Sequence, residues 1–364
     1  MASKLNDICS YAKGKTAVAG LTAQNYISTE NMLPNKGGIT TATNLPSVDQ
    51  TQAYRKNDVL VSNIRPYFKK IWHAEYDGGC SNDVLVFRAA EGVDPIFLYY
   101  VLADDIFFSY ATATSKGTKM PRGDKSAIME YGVPTLDIEV QRKIGALLRS
   151  IDQKIAINSR INDNLQQQVY ALFDSWFVSF DQTDGKMPAD WREGTLGEIT
   201  TITSGKRPPM KQPTATTEVS IPLVGAASIM GFTNAVLYNE PILVTGRVGT
   251  HGVVQRFQSP CWTSDNTLVI KSEFYEYAFQ ALQRVDYVNM NRGSTQPLIT
   301  QSDLKNVSIV IPTEAILLEY EKIAGTLMAM YESNRKENER LAVLRDILLP
   351  RLMNGEIDVS NIEI

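Results

Sequence analysis

The sequence has little of what a secreted or membrane-bound protein needs. Its 364 residues include only three cysteines, Cys9, Cys80 and Cys261. Their odd number and the lack of a Cys-x-x-Cys spacing argue against a disulfide framework. No apolar run is long enough to cross a bilayer, and the first residues lack the charged-then-apolar layout of a signal peptide. These absences predict a cytoplasmic protein that contacts no membrane.

The chain also lacks the motifs of the common cofactor-dependent enzymes. It has no Gly-rich loop of the GxGxxG or GxxxxGKS/T kind. The two histidines, His73 and His251, have no matching cysteine or carboxylate cluster, which argues against a zinc site or a hydrolytic triad. Residues 207–210 read Arg-Pro-Pro-Met and lack the amide and aromatic groups of an Asn-Pro-Pro-Tyr methyltransferase motif. We therefore expect no catalytic residue, no metal and no cofactor in this chain.

Charge of one sign is not in excess over the larger part of the chain. The net charge is −4, but residues 1–138 carry 14 basic and 14 acidic side chains, and residues 194–312 carry 9 and 8. The acidic excess lies mainly in residues 313–364, with 6 basic against 10 acidic side chains. The two larger regions can therefore concentrate positive charge on one face, so composition permits binding to nucleic acid without arguing for it.

The most informative feature that is present is an internal repeat of roughly 180 residues. Five pairs of segments match in the same order, which a duplication explains and chance does not. The matched pairs are LNDICSYAKGK at 5–15 with LGEITTITSGK at 196–206, DVLVSN at 58–63 with PILVTG at 241–246, CSNDVLVF at 80–87 with TSDNTLVI at 263–270, SKGTKMP at 115–121 with NRGSTQP at 291–297, and VPT and QRKI within 133–144 with IPT and YEKI within 311–323.

The first part of each repeat predicts β-strands. Short β-branched or apolar runs at 59–61, 84–87, 242–244 and 268–270 are separated by Gly, Pro, Asn and Asp, which favour turns. The second part predicts a long helix. From Gln141 to Phe177 about 37 residues would extend roughly 55 Å. The whole is an α+β protein with a pseudo-two-fold internal repeat, and the polar stretch 181–193 is the predicted linker between its halves.

Apolar residues along the first predicted helix recur in steps of three and four, the pattern of a seam that packs against another helix. The corresponding C-terminal segment repeats this pattern less regularly and is predicted to end at Pro350 and Gly355. Asn158 and Asn162 either set the register of the seam or face solvent on an imperfect helix. The predicted seams consist of Ile144, Leu148, Ile151, Ile155, Asn158, Asn162, Leu165, Val169, Leu172 and Trp176, and of Tyr320, Ile323, Leu327, Met330, Asn334, Leu341, Leu344 and Leu348.

Taken together, these features resemble the specificity subunit of Type I restriction-modification enzymes. The resemblance covers essentially the whole chain. It depends on the paired Leu…Ile…Gly-Lys openings, the Pro-to-Gln-Arg-Lys-Ile entry into the first helix, INDNL at 161–165, ALFDSWF at 171–177 and LLPRLMNGEI at 348–357. No single one of these elements is diagnostic, but their duplicated order is specific.

The resemblance implies two β-rich mixed target-recognition domains separated by two long antiparallel coiled-coil helices. The implied divisions are a first recognition domain at 1–138, a spacer helix at 139–180, the linker at 181–193, a second recognition domain at 194–312, and a second spacer helix with a tail at 313–364. Each domain would read one half of a split double-stranded DNA target. Two methyltransferase subunits would dock on the scaffold, and restriction-translocase subunits can add. S-adenosylmethionine, ATP and Mg would belong to those partners.

Candidate DNA contacts are cations and amides in loops that occur at matched positions. Arg and Lys suit guanine and phosphate, whereas Gln suits adenine. For each loop the alternative is a solvated turn. The candidates are Lys15, Arg65, Lys69, Lys70, Lys116, Lys119 and Arg122 in the first repeat, and Lys206, Arg207, Arg247, His251, Arg256, Arg292 and Gln296 in the second. Four aromatic residues close to them, Tyr67, Phe68, Trp72 and Trp262, are predicted to be packing residues and not base-stacking platforms.

The apolar residues at the helix ends exceed what one seam requires, so they are candidates for contact with the partner subunits. Trp176, Phe177 and Phe180 end the first helix, and Leu348, Leu352 and Met353 lie near the end of the second. The alternative is that they pack under the recognition domains. A different class of function is also open at this point, namely a two-lobed scaffold that binds proteins or glycans without binding DNA.

Overall fold

The structure, a computed structural model, describes residues 3–250, 252–290 and 298–359. The chain divides into two compact units. Unit 1 combines Met1–Asn158 with Lys336–Ile364, and unit 2 is Ser159–Arg335. This division differs from the predicted boundaries, because each long helix is shared between the two units and does not form a spacer segment of its own.

Unit 1 begins with ten short strands and four short helices, followed by the first part of a long helix. Its strands are β1 Ser3–Lys4, β2 Cys9–Tyr11, β3 Lys15–Ala17, β4 Tyr26–Ile27, β5 Gln50–Tyr54, β6 Val59–Ser62, β7 Ile71–His73, β8 Gly78–Cys80, β9 Val84–Ala89 and β10 Gly132–Val133. Its helices are α1 Leu5–Ile8, α2 Pro95–Ala103, α3 Asp105–Ala113, α4 Lys125–Met129 and the long α5 Ile138–Phe177.

Two four-stranded sheets organise unit 1. One has the order β2-β9-β6-β7 and is antiparallel throughout; the other has the order β3-β5-β8-β4, in which β4 and β8 run parallel. Helices α2 and α3 are buried against the first sheet in the main core of this unit. Among the described residues no single helix is long and apolar enough to span a membrane, and α2 and α3 reach that length only as a pair bent by 62°.

Unit 2 repeats this succession of elements. Its strands are β11 Arg192–Thr195, β12 Thr201–Ser204, β13 Ile221–Val224, β14 Ile229–Thr233, β15 Ile242–Gly246, β16 Gln255–Phe257, β17 Trp262–Thr263, β18 Thr267–Lys271 and β19 Ser308–Ile311. Its helices are α6 Leu196–Ile199, α7 Tyr275–Gln283, α8 Tyr287–Met290, α9 Gln301–Lys305 and the first part of the long α10 Glu314–Met353.

The sheets of unit 2 confirm the duplication. The order β12-β18-β15-β16 reproduces the four-stranded antiparallel sheet of unit 1, and β14-β13-β17 again contains one parallel pair, β13 with β17. The short pair β11-β19 corresponds to β1-β10. All four strand predictions are confirmed, since β6, β9, β15 and β18 contain the predicted runs. Strand β11 begins inside the segment predicted as linker.

One match within the predicted repeat is displaced by one residue. Val59 pairs with Phe87, and Leu243 pairs with Ile270. Because Phe87 and Ile270 occupy matched places, Val59 corresponds to Leu243 and not to Ile242. Core membership agrees, since Ile242 lies in a separate cluster on the opposite face of its sheet. A slip of one residue exchanges the faces of a strand, and only the observed register places equivalent side chains in equivalent cores.

The seam predicted for α5 is confirmed. Within each unit, the part of α5 that belongs to it packs against α10. The two helices are antiparallel, because residues further along α5 contact residues earlier in α10. The seam residues that are buried are Ile144, Leu148, Ile151, Asn158, Asn162, Leu165 and Val169, and those that are partly buried are Ile155, Leu172 and Trp176.

The asparagines lie inside the seam and not in solvent. In unit 1 the Asn158 amide donates to Glu337 Oε2 at 2.8 Å and to Asn338 Oδ1 at 2.9 Å. In unit 2 the Asn162 amide donates to the Tyr331 carbonyl at 3.2 Å, and its oxygen accepts from Asn334 at 3.0 Å. Buried amides that bond across two helices favour one alignment over others, which supports the register-setting interpretation.

The seam predicted for the C-terminal helix is wrong at several positions. Ile323, Met330 and Leu344 are exposed, and Ala324 and Met328 are buried in their place. The helix also continues through Pro350 to Met353. Gly355 follows with φ of +70°, a left-handed conformation that suits glycine after a helix end.

Candidate nucleic-acid interface

Three loops of unit 1 come together beside the four-stranded antiparallel sheet. They are residues 33–38, 63–70 and 115–123, which we call the three-loop surface. The Arg65 N–H donates to the Pro121 carbonyl at 2.8 Å, and the Gly123 N–H donates to the Asn63 carbonyl at 3.1 Å. The Lys36 N–H donates to the Lys69 carbonyl at 2.8 Å. Two of the predicted basic segments, about 50 residues apart in the chain, therefore form one surface.

Positive charge exceeds negative charge on this surface. The three loops contain seven cations and no carboxylate. Three acidic residues from neighbouring elements pair with some of them: Asp124 with Lys116 at 2.5 Å, Asp83 with Arg122 at 3.1 Å, and Asp105 with both Lys36 and Lys69 at 2.9 and 2.8 Å. A surplus of four positive charges remains, in a chain whose net charge is −4. The seven cations are Lys36, Arg65, Lys69, Lys70, Lys116, Lys119 and Arg122.

The cations of the three-loop surface differ in their freedom to reach a ligand. The Lys116 side chain is 80% exposed, and Lys119 is also exposed. Exposed ion pairs such as Lys116 with Asp124 are weak, so a phosphate can compete for that lysine. Lys70 is held more firmly, because its ammonium donates to the Thr29 carbonyl at 2.6 Å and burial lowers its pKa.

Lys15 lies on a different sheet of unit 1. It opens strand β3, is exposed, and pairs through its backbone with Gln52 of β5. The Gly14 before it has φ of +119°, a conformation that glycine adopts readily. Among the described residues, no hydrogen bond connects Lys15 with the three-loop surface.

In unit 2 the candidate cations gather at the turn between β17 and β18. The Lys206 N–H donates to the Thr263 carbonyl at 2.9 Å, and the Arg247 N–H donates to the Asn266 carbonyl at 2.8 Å. Lys206 and Arg207 are exposed, and Arg247 is half-buried. The Trp262 indole donates to the Lys206 carbonyl at 2.8 Å, which fixes the backbone at that lysine. His251, Arg292 and Gln296 lie outside the described residues.

The structure contradicts the assignment of Arg256 to DNA contact. Its guanidinium is 8% exposed and forms a two-bond ion pair with Glu276, at 2.5 and 2.6 Å. It also lies over the rings of Tyr275 and Phe279, at 5.0 and 4.6 Å from their centroids. These partners leave no free face for a phosphate. Arg256 is part of the core of unit 2.

The expectation for the aromatic residues is correct for two of four. Trp72 is partly buried against a core cluster, and Trp262 is partly buried with its indole bonded. Tyr67 and Phe68 are instead 46% and 38% exposed on the three-loop surface. Sequence reasoning also missed Lys36, whose loop has no recognised match in the second repeat; the Asn-Lys-Gly-Gly turn at 35–38 was the available signal.

The residues proposed for partner contact are mostly parts of the cores, which was the alternative considered for them. Phe177 is 3% exposed, and Leu352 and Met353 are 1% and 6% exposed. Trp176 and Leu348 are partly buried against the same cores. Phe180 is half-buried with its ring 6.2 Å from that of Trp191. The prediction that these side chains are available to a partner is therefore wrong for Phe177, Leu352 and Met353.

Exposed apolar residues occur instead on another part of α10. Val343, Leu344 and Ile347 are 59%, 45% and 51% exposed in unit 1. Together with Lys336, Glu339 and Arg340 they line an open cavity of about 510 Å³. Over the residues that the structure describes, no group of three His, Cys, Asp or Glu side chains is placed to hold a metal ion.

Comparison with known proteins agrees with the fold and identifies the family. The model of the Type I restriction modification DNA specificity domain matches residues 1–167 and 188–345. The chain is 24% identical over 308 residues to the Type I restriction enzyme MjaIX specificity subunit of Methanocaldococcus jannaschii, covering 75% of this chain and 71% of that one. It is 23% identical over an alignment of 431 positions to the HindI specificity subunit of Haemophilus influenzae, covering 91% and 94%.

A solved structure shows the same fold. It is the crystal structure of the Type I restriction-modification system S subunit from M. genitalium, with a TM-score of 0.65, 17% identity, and coverage of 97% of this chain and 96% of that one. Two β-rich repeats with paired long helices, matched over most of the chain by the DNA specificity model, define a DNA-recognition protein. The chain belongs to the family of Type I restriction-modification DNA specificity subunits.

Membership of this family decides between the two classes of function that the sequence left open. The chain is a DNA specificity subunit, the non-catalytic recognition component of Type I restriction-modification systems. The comparisons give no support to a protein- or glycan-binding scaffold.

Proposed function

We propose that each repeat of this subunit reads one half of a bipartite DNA target. The observation that carries the proposal is that the two repeats share one fold but differ in the side chains of their matched loops. Residues 63–70 of unit 1 contain three cations, whereas the corresponding sequence after β15, residues 247–254, contains Arg247 and His251 among small and apolar residues. Because direct readout depends on the side chains that reach base edges, two such loops select different sequences.

The experiment that tests this division is an exchange of residues 3–133 for the same region of another specificity subunit. The exchange ends at β10, so the strand pair Ser3–Lys4 with Gly132–Val133 moves as a whole. Methylated adenines are then mapped in cells that also express the partner subunits. We expect one half of the target to change and the other to remain. A simultaneous change of both halves would contradict independent reading.

The proposed DNA contacts of unit 1 are Lys15 and the cations of the three-loop surface, and those of unit 2 are Lys206, Arg207 and Arg247. His251, Arg292 and Gln296 stay predictions. Replacing Lys116 and Lys119 with Ala should weaken binding to specific and non-specific DNA alike, and should reduce the salt dependence of log K by up to about two units, roughly one per phosphate contact. The measurement is a titration of the assembled complex at several salt concentrations.

The matched control for the lysine variant removes two exposed cations of unit 1 that lie on α5. Arg142 pairs with Glu139 at 2.6 Å, and Lys154 pairs with Glu337 at 3.4 Å, both largely at the surface. Substitution of both by Ala should leave the salt dependence unchanged. Equal slopes for the two double variants would assign Lys116 and Lys119 to a solvated loop.

Two methyltransferase subunits and further restriction-translocase subunits are the proposed partners, in the cytoplasm. The exposed Val343, Leu344 and Ile347 on α10 support docking on the helices, in place of the buried residues first considered.

The three cysteines are free and buried, and burial raises the pKa of Cys9 and Cys80 to about 12, which suits thiols that stay unreactive.

S-adenosylmethionine, ATP and Mg are proposed to bind the partners and not this chain. The purified chain should therefore show no methyl transfer, no ATP hydrolysis and no nuclease activity. Isothermal titration calorimetry with S-adenosylmethionine should detect no binding heat. Addition of the methyltransferase subunits should produce the methyl transfer. Methylation by the single chain, freed of partners, would contradict the proposal.

A further inference from the structure

An exposed aromatic pair projects from the three-loop surface of unit 1. Tyr67 and Phe68 are 46% and 38% exposed, and their ring centroids are 4.8 Å apart with the planes tilted by 55°. They belong to a single 3-10 turn, Pro66–Phe68. Pro66 is buried, so the turn is anchored by its first residue while its next two side chains face outwards.

The backbone on both sides of this pair adopts an uncommon conformation. Arg65 and Lys69 both have φ of +51°, in the left-handed region that residues other than glycine rarely occupy. Hydrogen bonds hold the turn from both directions: the Arg65 N–H donates to Pro121, and the Phe68 carbonyl accepts from Asn35 at 2.8 Å. Such conformations persist where the surroundings enforce them, and they are concentrated at functional sites.

The cations around the aromatic pair indicate what kind of ligand it meets. Arg65 and Lys69 flank it in the chain, the Lys70 ammonium is 6.0 Å from the Phe68 ring, and Lys119 and Arg122 lie on the adjoining loop. A protein surface that binds this region would have to be strongly acidic. A nucleic acid satisfies both features, because phosphates suit the cations and every base offers a face for stacking.

The second repeat has no such pair. After β15 the chain continues as Arg247, Val248, Gly249, Thr250, His251 and Gly252, so a histidine and a glycine stand in the sequence where unit 1 has Tyr67 and Phe68. Arg247 and Val248 nevertheless make the equivalent contacts, since Val248 forms a bridge with Leu298 as Ile64 does with Arg122. The loop therefore occupies matched places in the two units, and the pair of Tyr and Phe residues occurs in the loop of unit 1 alone.

We propose that Tyr67 and Phe68 form an aromatic wedge that enters the DNA at one base step of the half-site read by unit 1. The wedge stacks on a base and partly unstacks that step, and the cations around it bind the flanking phosphates. This inference rests on the proposed function, in which unit 1 reads one half-site. It adds that the two half-sites are distorted unequally.

The test uses the assembled methyltransferase complex and a duplex of the target defined by methylation mapping. 2-Aminopurine, whose fluorescence rises when it loses its stacking, is placed at successive positions of each half-site. The methylated adenine and the base pairs beside it are left out, because methyltransferases extrude their target base from the duplex. With the wild-type chain, at least one position in the half-site of unit 1 should brighten severalfold, and no position in the other half-site should. In the Tyr67→Ala, Phe68→Ala variant that signal should disappear, and affinity for the specific duplex should fall about tenfold.

Two further variants serve as controls. Tyr67→Phe retains the ring and should keep the signal. Tyr76→Ala removes another exposed aromatic residue of unit 1, whose hydroxyl donates to the Gln24 carbonyl, and should also keep it. Loss of the signal with Tyr76→Ala would assign the effect to general damage and overturn the wedge.

Other results separate the wedge from the function on which it rests. If the exchange of residues 3–133 changes one half-site but no 2-aminopurine in that half responds, the half-site assignment stands and the wedge is refuted. If the double Ala variant no longer assembles with the methyltransferase, the pair belongs to a protein interface and the wedge is also refuted. A far-ultraviolet circular dichroism spectrum equal to that of the wild type shows that the variant is folded.

Discussion

Helices α2 and α7 occupy matched places in the two units, yet carboxylates from different elements satisfy their first N–H groups. In unit 1 the carboxylate of Asp94, directly before α2, accepts from Ile96 and Phe97 at 3.0 and 2.9 Å. In unit 2 the residue before α7 is Phe274, which has no acceptor. Glu321 of the long helix α10 reaches across and accepts from Glu276 and Tyr277 at 3.1 and 2.8 Å.

The residue that matches Glu321 on the first long helix is Gly145, and not Arg142 as the sequence match of QRKI with YEKI implied, because buried Ile144 corresponds to buried Tyr320 and not to exposed Ile323. Both helices contain 40 residues, and each of these two positions is the eighth. A Cβ atom at Gly145 would lie 3.2 Å from the Asp94 carboxylate and 3.2 Å from the Phe97 nitrogen. In unit 1 the residue before α2 supplies the cap, so the long helix α5 must leave room for it with a glycine. In unit 2 the residue before α7 supplies no cap, and the long helix α10 provides the carboxylate instead. The two positions have to change together.

A second difference between the units concerns buried charge. The strand registers match His73 of β7 with Arg256 of β16. In unit 1, burial lowers the pKa of His73 to about 4, so this ring is neutral, and it packs against Tyr99 at 6.1 Å. In unit 2, Arg256 pairs with Glu276 in the core. The same architecture thus accommodates a neutral aromatic contact in one copy and an ion pair in the other.

The largest predicted effect breaks that ion pair. Arg256→Ala leaves Glu276 buried without a cation, and should lower the free energy of unfolding by about 3–5 kcal/mol. His73→Ala, at the matched place in unit 1, should cost about 1 kcal/mol. Denaturant unfolding of the full chain measures both. The double variant Arg256→Met, Glu276→Leu removes both charges and should recover most of the loss; equal costs for Arg256→Ala and His73→Ala would contradict the comparison.

A smaller effect concerns pH. Burial is the main cause that raises the pKa of Glu321 from its ordinary value of 4.5 to about 7. The hydrogen bonds from the Tyr277 and Glu276 N–H groups and the charge of Arg256 oppose this rise, and the charge of Glu276 adds to it. The contribution of Glu321 to stability is complete below pH 4.5 and is lost as pH rises to about 7, because the unfolded chain releases that proton first. The loss should be about 3 kcal/mol, since the pKa differs by about 2.5 units between the folded and unfolded chains. Glu321→Gln should flatten this part of the profile, whereas Glu319→Gln, at an exposed position of the same helix, should leave it unchanged.

The smallest effect tests whether the two caps are interchangeable. Asp94→Ala should destabilise unit 1 by about 1 kcal/mol, the usual cost of a lost N-cap. Gly145→Glu should also be unfavourable, since the new side chain meets the Asp94 carboxylate. Combined with Asp94→Ala it should become stabilising, because a carboxylate from the long helix then replaces the missing cap. A double-mutant cycle measures the coupling, and strictly additive costs would show that the two caps are independent.

The sequence alone was sufficient for the elements and insufficient for some registers. The runs at 59–61 and 242–244 were recognisable as strands, but both faces of β6 and β15 are buried. Their continuous apolar pattern therefore does not say which face a side chain occupies, and the match slipped by one residue. In α10 the apolar residues outnumber the seam positions, so Ile323 and Met330 were chosen where Ala324 and Met328 are buried.

The candidate site shows the same limit. Loops 63–70 and 115–123 were each identified by their cations, but only the folded chain shows that they form one surface. Nothing local distinguishes Arg256 from Arg247, since the burial of Arg256 depends on Glu276, which lies on a later helix. The exposure of Tyr67 and Phe68 depends on the left-handed backbone at Arg65 and Lys69, which neither residue type favours.

Unit 1 is built from two distant stretches of the chain, and this has a consequence for how such subunits are made and recombined. Leu349, Leu352 and Val359 are buried in the core that also contains α2 and β6. During translation unit 2 can complete its core first, whereas unit 1 must wait for residues encoded far downstream. A recombination event that replaces the first recognition segment in the gene leaves the C-terminal segment with Leu349, Leu352 and Val359 unchanged. Only a replacement that packs against this segment therefore yields a stable subunit.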